Sequence, residues 1–226
     1  MKKLVLFANI ALSMLCLFLM ILYDLQGGLM LKGITAASFV LLGTVNTVYA
    51  FCSQAKNRMF SLFMAIGLFI CMAGDIVLNI SFIPGAAIFA LGHIFYCMAF
   101  GILMKYRKRD FFPVAAVFLL SLVILLLTPH LDFGSALMAC IVYVYSLIIS
   151  CMVGKSIANF LRERSLATAL FMIGAILFFF SDLMLLFCYF AGAPKITDTL
   201  CLYTYFPGQC LLAHGIFHAV NQPKSH

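Results

Sequence analysis

Apolar residues run through this chain in long unbroken stretches parted by short polar clusters, and the strict apolar–polar alternation of a half-buried strand is absent. A helix rising ~1.5 Å per residue needs roughly 20 apolar residues to cross ~30 Å of hydrocarbon. Runs of about that length fall at 4–22, 30–51, 59–80, 85–104, 112–128, 134–153, 168–190 and 199–219. The runs are too long and too continuous for barrel strands, so the pattern predicts an all-α, polytopic membrane bundle of eight transmembrane helices. The longest polar connections, 105–111 and 154–166, are too short to fold alone, which makes residues 1–226 a single transmembrane domain.

Composition narrows the class further. With 65% apolar and 9% charged residues and a mean hydropathy of +1.16, the chain has too little polar surface for a water-soluble globule. Basic residues in short loops mark the cytoplasmic side. Lys2, Lys3, Lys56, Arg58, Lys105, Arg107, Lys108, Arg109, Lys155, Arg162, Arg164 and Lys224 fall on the ends and alternate loops, against Lys32 and Lys195 on the other side. That asymmetry predicts a multi-pass protein with both termini cytoplasmic, in a bacterial inner (cell) membrane, and it agrees with an even number of spans. The net charge of +7 is then a topology signal and a contact with anionic headgroups, not a nucleic-acid surface. The first run lacks a small-x-small cleavage site and reads as a retained helix. The nine cysteines contain no C-x-x-C pair, so neither a disulfide framework nor a metal site is expected, with Cys188 and Cys201 the one pair worth testing. Tyr23, Tyr49, Tyr106, Tyr189 and Tyr203 lie near span ends and form the expected aromatic belt. No G-x-x-x-G stands out within a span, which predicts a monomer or weak dimer.

Two carboxylates break the apolar pattern. Asp75 and Asp182 lie inside the third and seventh runs, where an aspartate at mid-span costs roughly 2.5 to 3.5 kcal/mol. If the third span runs outward, Asp75 and Asp182 fall in the outer half of the bilayer. His93, Gln209 and Lys32 fall at comparable depth, and a shared level points to one cavity. Gly74-Asp75 followed by Gly92-His93 echoes Ser181-Asp182 followed by Gly208-Gln209, which suggests two parallel repeats of four spans. Each residue also has a plain structural reading. Either aspartate can be one half of an ion pair with Lys32 or His93, and His93 can be a helix-contact histidine. Gln209 and Tyr205 can be interhelical hydrogen bonders, and Lys32 can snorkel to the headgroups. His214 and His218 recur one turn apart, but without a third ligand they do not make a metal site.

Four phrases occur in order on these spans: Gly74-Asp75-x-x-Leu78, Gly92-His93-x-x-Tyr96, Gly174-Ala175-x-x-Phe178-x-x-Ser181-Asp182 and Tyr205-x-x-x-Gln209. Together with the span count they resemble the YhhN-like family, which includes the lysoplasmalogenases, and the resemblance covers nearly the whole chain. Lys32 matches a lysine that the family follows with proline; here Gly33 stands in that place. The resemblance implies a hydrolase that cleaves the vinyl ether bond of a lysoplasmalogen to a fatty aldehyde and a glycerophospho-ethanolamine or glycerophospho-choline. Its substrate would be a lysophospholipid drawn from the surrounding membrane lipids. It implies Asp75, Asp182 and His93 as catalytic residues and Lys32, Tyr96, Ser181, Tyr205 and Gln209 as substrate-binding residues, with no metal and no cofactor. The chemistry suits paired carboxyl groups. Protonation of the vinyl ether β-carbon creates an oxocarbenium ion, as in glycoside cleavage, and requires a proton donor, a nearby anion and a base for water.

Another class of function fits the same residues. A small proton-coupled secondary transporter would use Asp75 and Asp182 as protonation sites on parallel repeats, and a lipid-binding membrane protein would share the fold without turnover. Aldehyde release in detergent, where no gradient exists, separates the hydrolase from both.

Overall fold

The structure is a computed structural model that describes residues 1–222; Lys224, counted above among the basic residues, lies outside them. Among the described residues the chain forms eight α-helices: α1 Lys2–Gln26, α2 Leu29–Cys52, α3 Arg58–Leu78, α4 Phe82–Leu103, α5 Phe111–Leu127, α6 Ala136–Arg162, α7 Leu166–Phe190 and α8 Ile196–Val220. A short 3-10 helix, Lys108–Asp110, leads into α5. The bundle is all-helical, as the apolar runs predict, and α1 through α7 are each long and apolar enough to cross a membrane. At 25 residues, α8 is equally long but does not reach that apolarity. It packs against α1, α2, α3 and α7. A helix shielded by four neighbours can turn polar side chains into protein instead of lipid, and α8 buries Tyr205 and Gln209 in this way.

The largest departure from the apolar pattern is at the end of α6, which continues through 154–162 where a polar loop was expected. Lys155 is fully buried, and its Nζ lies 2.7 Å from Asp110 Oδ2 and 4.5 Å over the Tyr106 ring. One turn on, Asn159 Nδ2 donates to Phe100 O at 3.0 Å, and Arg162 Nη1 donates to Lys105 O at 2.9 Å. These polar residues therefore clamp the α4–α5 connection. Hydropathy ends the span early because it weighs each side chain without its partner. Among the tyrosines expected at the boundaries, Tyr106, Tyr189 and Tyr203 are exposed, whereas Tyr49 is buried and donates to Asn221 Oδ1 at 3.0 Å.

Two helix pairs, α3 with α4 and α7 with α8, make the most extensive contacts in the bundle. Small residues bring them close. A Cβ on Gly174 would sit 2.9 Å from Gly208 O, and one on Gly208 would sit 3.1 Å from Gly174 O. Across the other pair, a Cβ on Gly67 would strike the Tyr96 ring at 2.6 Å and one on Gly92 would strike Cys71 Sγ at 2.6 Å. Gly67 and Gly174 each stand two helical turns before the aspartate of their own helix, so the sequence echo has a counterpart in packing.

The remaining helices are tied on by polar contacts. Asn9 of α1 and Asn46 of α2 exchange amide hydrogen bonds at 2.7 Å, and Asn46 Nδ2 also donates to Ala213 O of α8 at 2.9 Å. The start of α1 and the end of α8 lie with the α2–α3 and α6–α7 connections: Asn57 Nδ2 donates to Ala219 O at 3.1 Å, and Gln222 Nε2 donates to Ser165 Oγ. This end carries most of the basic residues and is called the basic end below. The opposite end holds the α1–α2, α3–α4, α5–α6 and α7–α8 connections and is called the far end.

Breaking a buried ion pair by removing one partner costs about 3 kcal/mol or more, whereas an apolar replacement of both is often tolerated. Lys155→Met is therefore expected to lower the thermal unfolding temperature of the detergent-solubilised protein, and Asp110→Leu combined with Lys155→Met is expected to recover most of that loss. Unfolding curves of the single and double variants check this.

Candidate functional site

The structure places the sequence candidates between the middle of the bundle and its far end, and all but Ser181 fall in two separate hydrogen-bonded clusters. The first surrounds Asp75, which is 2% exposed near the end of α3. Tyr205 of α8 donates its hydroxyl to Asp75 Oδ2 at 2.6 Å, and Lys32 Nζ of α2 lies 3.8 Å from Oδ1. Behind Tyr205, Gln209 Nε2 donates to the Tyr205 oxygen at 3.3 Å, and Tyr96 of α4 donates to Gln209 Oε1 at 2.7 Å. A tyrosine hydroxyl has one proton, so with that proton given to Asp75 its oxygen is free to accept from Gln209. Every donor in the chain thus points toward the carboxylate. The cluster supplies an anion with the charge-assisted contacts that burial demands.

The second cluster surrounds Asp182 on α7. Tyr145 of α6 donates to Asp182 Oδ2 at 2.7 Å. His93 Nε2 lies 2.8 Å from the Tyr145 oxygen and 3.3 Å from Asp182 Oδ2. With the Tyr145 proton committed to the carboxylate, the Tyr145 oxygen accepts from His93, which places the imidazole proton on Nε2. His93 Nδ1 is then an acceptor, buried and without a hydrogen-bond partner among the described residues. Asp182 Oδ1 takes no hydrogen bond from the described residues either, and the Asp182 side chain is 14% exposed where His93 is fully buried.

Phe178 parts the two clusters. Its ring centroid lies 5.2 Å from that of Tyr205 on one side and 4.6 Å from that of His93 on the other, edge-on to both. No hydrogen bond links Asp75 to Asp182 among the described residues. Beside Asp182 a narrow cleft opens, with about 670 Å³ of empty space counted out to its mouth. Its polar lining includes Asp182 and Tyr145, and its walls are apolar side chains such as Leu78, Phe82, Phe89, Leu125 and Phe179. Of the sequence candidates, only Asp182 lines this cleft. Asp75, Tyr96, Tyr205 and Gln209 are buried in the cluster next to it, with the partly exposed Lys32 at its edge. Ser181 Oγ donates to the Cys201 carbonyl at 3.0 Å and so joins α7 to α8. Cys188 and Cys201 are both free thiols.

Tyr145, which joins Asp182 to His93, is the member of the candidate site that the sequence does not single out. It lies well inside the 134–153 run and away from either boundary, and that depth is the signal that distinguishes it from a belt tyrosine. His214 and His218 stack with centroids 5.2 Å apart, and no group of three His, Cys, Asp or Glu able to hold a metal occurs among the described residues.

The sequence profile described as the YhhN family matches residues 11–216, which takes in both clusters and the cleft. No curated protein and no solved structure matches the chain.

The difference in burial orders two substitutions. Removing the hydroxyl that serves a sealed carboxylate leaves a desolvated acceptor, at a cost of about 1–3 kcal/mol. Tyr205→Phe is expected to destabilise the solubilised protein more than Tyr145→Phe, because Asp182 keeps His93 and access to the cleft. Thermal unfolding of the two variants side by side measures the order.

Proposed function

The chain belongs to the YhhN family, and on that premise we propose that it is a membrane hydrolase of lysoplasmalogens, with Asp182 as the group that meets the vinyl ether. The observation that carries this reading is a carboxylate with one oxygen held by Tyr145 and His93 and the other free beside an apolar cleft. A single-chain amphiphile suits such a cleft, with its tail along the apolar walls and its vinyl ether at the carboxyl group. The basic end is assigned to the cytoplasm, so the cleft lies toward the outer leaflet.

In this reading protonated Asp182 gives its proton to the β-carbon of the vinyl ether. The resulting oxocarbenium ion is stabilised by the carboxylate that the same step creates. Water adds to the cation and loses a proton to Asp182, giving a hemiacetal. Asp182 then protonates the glycerol oxygen as the carbon–oxygen bond breaks, and the hemiacetal hydroxyl returns a proton to Asp182 as the aldehyde forms. Proton and water are balanced over the cycle with one carboxyl group acting alternately as acid and base, as a single carboxyl does in retaining glycoside hydrolysis. His93 and Tyr145 fix the other oxygen of Asp182. Asp75, sealed behind Phe178, acts as a positioning residue: it anchors Tyr205, whose ring buttresses Phe178 against His93. Lys32 neutralises Asp75, and Tyr96, Gln209 and Ser181 hold α4, α7 and α8 in register around the site.

The cross-bracing of two similar helix pairs also suits a proton-coupled carrier, and the assay distinguishes them. The hydrolase releases fatty aldehyde from alkenyl-lysophospholipid in detergent; a carrier gives only solute flux in sealed vesicles. Asp182→Asn is expected to lower aldehyde release by about 10²–10⁴-fold, the range of general acid catalysis, with the protein still folded. In D₂O the aldehyde is expected to carry a single deuterium on the carbon next to the carbonyl. Unchanged turnover in folded Asp182→Asn, or aldehyde without that deuterium, overturns the mechanism.

A further inference from the structure

A second opening lies on the other side of α8. α1 and α7 both pack on α8 but not on each other, so a strip of α8 faces the membrane through the gap between them. The resulting groove has about 940 Å³ of empty space counted out to its mouth. Its walls are Ile10, Met14 and Leu17 of α1 and Leu166 and Leu170 of α7, and Pro207, Leu211, His214 and His218 lie along its floor. The apolar walls alone would describe a surface wetted by any lipid tail. The histidines do not fit that description. Neither imidazole has a hydrogen-bond partner among the described residues, and polar groups left unpaired against hydrocarbon are costly.

Position supplies the chemistry of the missing partner. From Pro207 to His218 the groove runs along α8 for about 16 Å, half of the ~30 Å hydrocarbon thickness and therefore the depth of one leaflet. His218 stands at its basic end, two residues before the end of α8, and His214 lies about 6 Å deeper, one turn along the helix. Lys2 and Lys3 open α1 and Arg164 precedes α7 at the same end, with Glu163 the acidic residue nearest to them in that connection. A phosphodiester at headgroup level and an ester carbonyl one turn deeper would supply the acceptors that two imidazole N–H groups lack, and the surplus of cations favours a net negative lipid.

We propose that this groove is a binding site for one anionic diacyl phospholipid of the leaflet at the basic end, with its phosphate at His218, its ester at His214 and a tail along α1 and α7. The site is separate from the cleft at Asp182, which opens among α3 to α7, and its test does not depend on catalysis.

The chain has no tryptophan, so Leu166→Trp at the groove mouth provides a single fluorophore. The full-length variant in detergent is titrated with brominated phosphatidylglycerol, brominated phosphatidylcholine and a brominated lysophosphatidylcholine. Saturable quenching by the phosphatidylglycerol at a concentration at least tenfold lower than by either zwitterionic lipid is expected. In the same background His214→Ala with His218→Ala is expected to shift half-saturation by the anionic lipid at least fivefold upward, and the milder His218→Gln to shift it part of the way. Size-exclusion profiles and thermal unfolding report folding of each variant. Equal half-saturation for the anionic and zwitterionic lipids, or no shift in either folded histidine variant, overturns the proposal. Tightest binding of the single-chain lipid also overturns it and assigns the groove to the substrate.

Discussion

A carboxylate inside hydrocarbon must be met by donors from other helices, because its own helix has no spare backbone N–H to offer and water is not there to solvate it. Much of the bundle's architecture answers that demand. Asp75 on α3 is met by Lys32 of α2 and Tyr205 of α8; Asp182 on α7 is met by His93 of α4 and Tyr145 of α6. Two acidic side chains thereby tie together α2 through α4 and α6 through α8. The contacts also cross between the first four helices and the last four, since each aspartate is served by a side chain from the other set. Each aspartate takes one donor from its own set and one from the other, Tyr205 for Asp75 and His93 for Asp182, which makes the association of the two sets part of solvating the charge.

This dependence explains what was legible in the sequence and what was not. The helices could be read because length and apolarity are properties of single segments, and the eight runs agree with α1 to α8 within a few residues except at the end of α6. Asp75, Asp182, His93 and Gln209 could be picked out because a polar residue in an apolar run is itself anomalous. Partnership is a property of two segments and cannot be read in the same way. Lys155 looked like a loop cation because nothing in its neighbourhood announces Asp110, forty-five residues earlier. Tyr145 was passed over because tyrosine is common in membrane spans and its hydroxyl is informative only beside Asp182. The expectation of one shared cavity came from depth alone. Equal depth places residues on one level of the bundle, but not on one side of Phe178.

The partition at Phe178 has a consequence for any chemistry that moves a proton. Two carboxylates sharing a dry cavity repel each other, and the charge on one is then set by the charge on the other. Phe178 gives each aspartate its own donors: a cation and a phenol for Asp75, an imidazole and a phenol for Asp182. On the proposed reading Asp182 exchanges its proton beside the cleft with its own two donors in place. The aromatic ring that keeps the two clusters apart is also the surface through which Tyr205 presses on His93, so the cluster at Asp75 bears on the one at Asp182 by shape. On this reading the second buried aspartate is retained for a rigid wall behind the imidazole, a task that an uncharged residue without a hold on Tyr205 would not perform.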